Sequence, residues 1–142
     1  MMVAAQPHLL ETANRFPSPD ALSAGLADRV AEVLDYAVAA RGRASLVVSG
    51  GRTPIALFET LSRRDVPWDR VTITLADERW VPPDSPDSNE HLVREHLLRG
   101  PAAAAGFVGL YQGDVTLDDG EPLSQKALKS VPRPFDAVIL GM

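Results

Sequence analysis

Leu22, Leu26, Val30, Val33, Leu34, Ala37 and Val38 recur at three- and four-residue spacing, and the pattern stops at Gly42. That period lines them up on one stripe of an amphipathic helix. Ser18, Pro19 and Asp20 stand just before it. A serine hydroxyl caps, a proline fits the first helical position, and a carboxylate suits the positive end of the dipole. The spacing predicts a long helix from Ser18 to Gly42, where glycine provides a stop. The pattern then changes period. Ser45 to Ser49, "SLVVS", is a short apolar run rich in valine and predicts a buried strand. Thr53 and Pro54 are expected to cap and start a second helix. Ile55, Phe58 and Leu61 mark its inner face, and Arg63 and Arg64 sit at its negative end. Val71 to Ala76, "VTITLA", alternates and is β-branched, which predicts a second strand.

The second half is more broken. A loop with three prolines runs from Val81 to Asp87. Ser88 is then placed to cap a helix carrying Leu92, Val93 and Leu97, which ends at Gly100-Pro101. Phe107 to Tyr111 has the makings of a short strand, and Leu123, Ala127, Leu128 and Val131 of a short helix. Phe135 to Met142, "FDAVILGM", reads as a further buried strand. The run of alanines from Ala102 to Ala105 is helix or loop filler. Strands alternating with helices predict one α/β domain over residues 1–142, with a Rossmann-like open, mainly parallel sheet and helices on both faces.

Composition narrows the function without naming it. Hydrophobic residues make up 45% of the 142 positions, enough for a real core. The formal net charge is −5, so no global basic field favours nucleic acid or an anionic membrane. An anionic ligand has to be held by a local site. The chain has no cysteine, which rules out disulfides and thiolate metal sites and suits the cytosol. The start "MMVAAQPHLLET" has no basic stretch followed by a long apolar one, and no apolar run approaches the ~20 residues of a membrane span. The expectation is a soluble cytoplasmic protein with no membrane or nucleic-acid partner. The pattern specifies no oligomeric state.

Two stretches carry candidate chemistry. The first is Ser49-Gly50-Gly51-Arg52-Thr53, directly after the first predicted strand. Ligands of open parallel sheets bind beyond the carboxyl ends of the strands. Glycines let the backbone turn tightly and bring its N–H groups close to a ligand, and a helix start adds partial positive charge. The hydroxyls of Ser49 and Thr53 add hydrogen bonds, and Arg52 adds charge. These features describe a phosphate cradle. The plain alternative is a turn that needs glycine for its geometry and leaves Arg52 solvated. The stretch is neither the Walker pattern nor the Gly-x-Gly-x-x-Gly dinucleotide pattern. The second stretch is Asp77-Glu78-Arg79, directly after the second predicted strand. Arginine offers a fork for phosphate or carboxylate, and an adjacent carboxylate orients it or holds water. The plain alternative is an exposed loop of internal ion pairs, with Trp80 as packing and Asp87-Ser88-Asn89 as a helix cap.

Together, "SGGRTP", "DERWVP", "DSN" and "FDAVILGM" resemble the glucosamine-6-phosphate isomerase/6-phosphogluconolactonase family. Within it they favour the lactonases, because the deaminases share the glycine turn but usually carry Asp-Glu-Tyr. The resemblance implies hydrolysis of 6-phospho-D-glucono-1,5-lactone to 6-phosphogluconate in the pentose phosphate pathway. The partner would be a small phosphosugar lactone, with no metal or organic cofactor. Gly50, Gly51 and Thr53 match the family's phosphosugar-binding turn, Asp77 and Arg79 its charged pair, and Asn89 the end of its "DSN" element. Arg79 would stabilise an anion, and Asp77 would position Arg79 or the water. The family's base is a histidine in a Gly-x-Asp-Gly-His segment after the strand matching "FDAVILGM", and this sequence stops at Met142. The expectation is a chain incomplete relative to the family at its C-terminal side, weak or inactive alone. His91 reads as a solvated first-turn residue before it reads as a base; His96 reads as surface or half-buried packing, and His8 lies in a loose start. No His, Asp or Glu cluster has metal-ligand spacing. The alternatives are a glucosamine-6-phosphate deaminase-like enzyme and a non-catalytic sugar-phosphate-binding module.

Overall fold

Ser18 and Gly42 bound the first helix as the pattern predicts. In a computed structural model, which describes residues 14–141, α1 spans Pro19–Arg41. Ser18 Oγ accepts the Ala21 N–H at 3.1 Å, and Gly42, with φ of 79°, donates its N–H to Val38 O at 2.7 Å. Left-handed backbone of this kind favours glycine. Ala27, Val30, Leu34 and Ala37 form the buried stripe. His8 lies outside the described residues.

Four short strands follow: β1 Ala44–Val48, β2 Val71–Leu75, β3 Gly106–Val108 and β4 Ala137–Ile139. They form one parallel sheet in the order β3-β2-β1-β4. Leu46 lies opposite Ile73 on one side and Ala137 on the other. All five residues of β1 are buried, as the central position demands. Helices α2 (Ile55–Ser62) and α3 (Asn89–His96) link β1 to β2 and β2 to β3, while α4 (Leu117–Leu128) returns the chain to β4 across β1. With right-handed crossovers, that reversal carries α4 to the face opposite α2 and α3. The core agrees. Leu34, Leu46, Phe58, Leu61, Ile73 and Val93 share one apolar cluster that draws on α1, α2 and α3 and includes no residue of α4. The open parallel α/β sheet is therefore borne out. Among the described residues no helix is long and apolar enough to cross a membrane.

Several boundaries differ from the sequence pattern, each for a physical reason. The second helix does not begin at Thr53-Pro54. Pro54 occupies the cap position with no side-chain cap bond, and its carbonyl accepts the first helical bond, from Phe58 N–H at 2.8 Å. The "FDAVILGM" strand is not a long buried one. β4 is three residues long and, among the described residues, paired on one side only, and Val138 is 38% exposed. The third helix ends at His96 rather than Gly100-Pro101, and Gly100–Ala104 forms a 3₁₀ turn that buries Ala102. β3 ends at Val108, short of Tyr111. α4 starts earlier than its apolar pattern, because Thr116 Oγ1 caps the Asp119 N–H at 3.2 Å. Val131 is buried, although it lies past the end of α4.

One side chain seats β4. Asp136 Oδ2 accepts the Ser45 N–H at 2.8 Å, its Oδ1 pairs with Arg41, and the Asp136 N–H donates to Ser45 O at 3.2 Å. The start of β4 is thereby fastened to the start of β1 and the end of α1.

Candidate functional site

Chain direction across the sheet reverses at β1, which has β2 on one side and β4 on the other. Such a reversal opens a crevice at the carboxyl ends of the two strands that diverge there. Ser49 to Thr53 leave β1 at that point. Ser49 N–H donates to Ile139 O at 3.1 Å, and Ser49 Oγ accepts the Gly141 N–H at 2.9 Å, so the serine ties the two strand ends together. Gly51 turns with φ of 97°. Thr53 does not cap α2, which leaves its hydroxyl unspent. Within the turn, Ile55 N–H donates to Arg52 O at 3.3 Å. Among the described residues, the N–H groups of Gly50, Gly51, Arg52 and Thr53 have no protein acceptor. These donors lie at the positive end of α2, the arrangement that suits an anion. Arg52 is exposed and makes no ion pair among the described residues.

Asn89 joins this turn to the second candidate stretch. It is buried, and a Cβ built on Gly50 would overlap its Oδ1. Its Nδ2 donates to Asp77 O at 3.1 Å. The close approach is a second reason for glycine at position 50, separate from the turn. Asp77 and Arg79 are both exposed, and Arg79 Nη1 donates to Asp87 O at 3.1 Å. Most of the guanidinium donors are left over. The structure thus brings Gly50, Asp77, Arg79 and Asn89 into one loop cluster.

Sequence reasoning passed over Glu78. Its Oε1 accepts the Asn89 N–H at 2.7 Å and the Arg79 N–H at 2.8 Å, and its Oε2 accepts the Glu90 N–H at 2.9 Å. The Ser88 hydroxyl lies 3.4 Å from the same Oε2, and Ser88 Oγ accepts the His91 N–H at 3.1 Å. The start of α3 is therefore filled from within the protein, whereas the start of α2 is open. The only signal in the sequence is a carboxylate inside a charged run, and no spacing links it to Ser88 through Glu90.

Trp80 anchors the far side of the loop. Its Nε1 donates to Val115 O at 2.9 Å, its ring lies 5.1 Å from that of Tyr111, and Gly120 lies so close beneath it that a Cβ there would overlap the indole. Tyr111 donates to Asp114 Oδ1 at 3.3 Å, and its phenol is raised above the ordinary value by desolvation first and the Asp114 charge second. Neither described histidine joins the cluster. His91 Nε2 lies 3.5 Å from Glu95, and His96 Nδ1 lies 2.9 Å from Glu59 on α2. No group of three potential metal ligands occurs among the described residues. An open depression of about 510 Å³ lies elsewhere, against α1 and the start of β4, lined by Arg29, Glu32, Val33, Tyr36, Arg41 and Asp136. Its charged groups already pair with one another, Arg29 with Glu32 and Arg41 with Asp136.

The fold is that of an open parallel α/β protein, with backbone N–H groups that have no protein acceptor among the described residues at the carboxyl edge of its sheet. The family described as Glucosamine-6-phosphate isomerases/6-phosphogluconolactonase matches residues 17–142, and the chain belongs to it. It is 52% identical over 118 residues to a 6-phosphogluconolactonase of Pseudomonas aeruginosa, covering 83% of this chain and 50% of that protein. It is 49% identical over 127 residues to one of Rhizobium meliloti, covering 89% and 55%. The crystal structure of a 6-phosphogluconolactonase from Shewanella baltica superposes with a TM-score of 0.88 at 52% identity, over 89% of this chain and 55% of that one. The chain spans about half the length of the curated relatives it matches. A monomeric glucosamine-6-phosphate deaminase shares the fold, with a TM-score of 0.62 at 17% identity.

Proposed function

We propose that this chain supplies the phosphosugar-binding part of a 6-phosphogluconolactonase, acting in the cytoplasm on 6-phospho-D-glucono-1,5-lactone without metal or organic cofactor. The reading is carried by one observation: the turn from Gly50 to Thr53, whose N–H groups have no protein acceptor among the described residues, packs through Gly50 on Asn89, which in turn bonds to Asp77 O in the Arg79 loop. Backbone donors and a helix start bind a phosphoryl dianion without a global positive charge. Ser49, Thr53 and Arg52 add to that cradle. The lactone relatives at about half identity support the substrate.

Hydrolysis of the lactone requires water to add to C1, a base to take its proton, and donors for the oxyanion that forms. The bond from C1 to the ring oxygen then breaks, and the ring oxygen takes a proton. Arg79 stabilises the oxyanion or holds the phosphosugar, and Asp77 orients Arg79 or the water. We assign the base role to neither His91 nor His96, whose rings contact Glu95 and Glu59 rather than the loop cluster. The resemblance assigns that role to a histidine in a Gly-x-Asp-Gly-His segment, which residues 1–142 do not contain. The chain alone therefore binds the phosphosugar and turns over weakly or not at all.

Calorimetric titration with 6-phosphogluconate tests the binding, and acid release from freshly generated lactone, against a buffer blank, tests the turnover. Saturable binding that is weakened about tenfold but still measurable in Arg79→Ala, with acid release near the blank, is the expected result. No binding by the native chain overturns the reading. Ammonia released from glucosamine 6-phosphate would move the assignment to the deaminases.

A further inference from the structure

Glu78 sits between the two halves of the loop cluster, and its contacts are unusual for a carboxylate in a charged run. Three backbone N–H groups, those of Arg79, Asn89 and Glu90, point at its two oxygens within 2.9 Å. Two of those three belong to the first turn of α3, whose N–H groups have no partner inside the helix. A carboxylate there is favoured by the helix dipole and by charge-assisted bonds. Two of the anchored residues are candidate site residues, and one of them meets the glycine turn. Asn89 packs its side chain on Gly50, and Arg79 leaves the clamp on the solvent side.

We infer that Glu78 is a positioning residue. Its carboxylate locks the charged loop to the start of α3, and this lock sets where the Arg79 guanidinium and the Asn89 amide stand relative to the glycine turn. Glu78 itself touches no ligand. Two consequences follow from the geometry. By filling the start of α3, Glu78 leaves the turn before α2 as the open helix start of the pair, so an anion is directed there. By spending both oxygens on backbone donors, it forms no ion pair with Arg79, so the guanidinium stays free to meet a ligand. A glutamate that merely paired with its neighbour would do the opposite. The role in ligand binding rests on the phosphosugar reading, whereas the lock itself does not.

The test uses the whole 142-residue chain, with Glu78→Ala and the milder Glu78→Gln as a second variant in case the first fails to fold. Amide hydrogen exchange reads the lock directly. The Asn89 and Glu90 amides are expected to lose protection in Glu78→Ala, and Glu78→Gln is expected to keep part of it. The Arg79 Nε–H and Asn89 side-chain resonances are expected to move toward their unstructured positions in the same variants. Unchanged protection and unchanged resonances would overturn the inference on the protein alone, whatever ligand the chain takes. Titration with 6-phosphogluconate then reads the consequence. Glu78→Ala is expected to weaken binding about tenfold, the scale of one misplaced charge-assisted contact, and to cost much less in an Arg79→Ala background, because coupled residues are not additive. Equal loss in both backgrounds would make Glu78 a structural support only. Absence of binding by the native chain would sink the phosphosugar reading while leaving the lock to be judged by exchange and resonance.

Discussion

At the scale of single residues, Gly50 and Asn89 decide the shape of the crevice rim. The glycine has two duties. It lets the chain leave β1 in a tight turn, and it leaves room for the Asn89 side chain, which holds the charged loop through Asp77 O. Gly50→Ala puts a methyl group where Asn89 Oδ1 now lies, so either the amide or the turn must shift. Phosphosugar affinity is expected to fall about tenfold or more, because misplacement at a binding site costs more than the strain itself. Titration calorimetry on a variant shown by circular dichroism to be folded checks this. Affinity equal to that of the native chain would show that the rim does not depend on this contact. The glycine turn was legible in the sequence from its residues and their place between the first predicted strand and the helix after it. Its partner was not, since nothing in "DSN" says which backbone the asparagine meets.

At the scale of elements, what matters is how β4 is held in place. A three-residue edge strand has few ladder bonds, and Asp136 compensates with its bonds to Ser45 and Arg41. Ser45 is fully buried, so removing the carboxylate leaves its N–H without an acceptor. Asp136→Ala is expected to destabilise the fold by about 2 kcal/mol, within the range for an orphaned buried donor. A fall in the urea midpoint with an unchanged slope would show it. The cap of α1 makes a smaller contribution. Ser18→Ala removes one bond to the Ala21 N–H and is expected to cost about 1 kcal/mol, read the same way. These two elements differ in legibility. The cap of α1 is local, so Ser18-Pro19-Asp20 announces it. The seat of β4 joins positions far apart in the chain, and an aspartate before an apolar run gives no hint of it.

At the scale of the whole molecule, β3 and β4 are the two outer strands of the sheet among the described residues. Val138 on β4 is 38% exposed, and Tyr36 and Phe135 are exposed as well. An open, apolar strand edge is a template for pairing with another chain. Val138→Lys is expected to reduce self-association in light scattering at high protein concentration, with little change in the unfolding midpoint, because the position is already partly solvated. Equal scattering from both proteins would mean that this edge does not pair. The same strand order sets where the glycine turn leaves the sheet. β1 is flanked on both sides, its end is the point of divergence, and the turn whose N–H groups have no protein acceptor among the described residues leaves the sheet there.

The amino-acid pattern by itself determined the alternation of helices and strands, the limits of α1, the presence of a glycine turn after the first strand and of a charged run after the second. Those features follow from period, caps and backbone conformation, all of which act over a few residues. Only the tertiary structure decided that β4 is a short edge strand, that Thr53 does not cap α2, that Asn89 lies on Gly50, and that Glu78 fills the start of α3. Each of these depends on which distant backbone donor or packing surface a side chain meets. That meeting is fixed by the path of the chain around the sheet, and short-range spacing does not encode it.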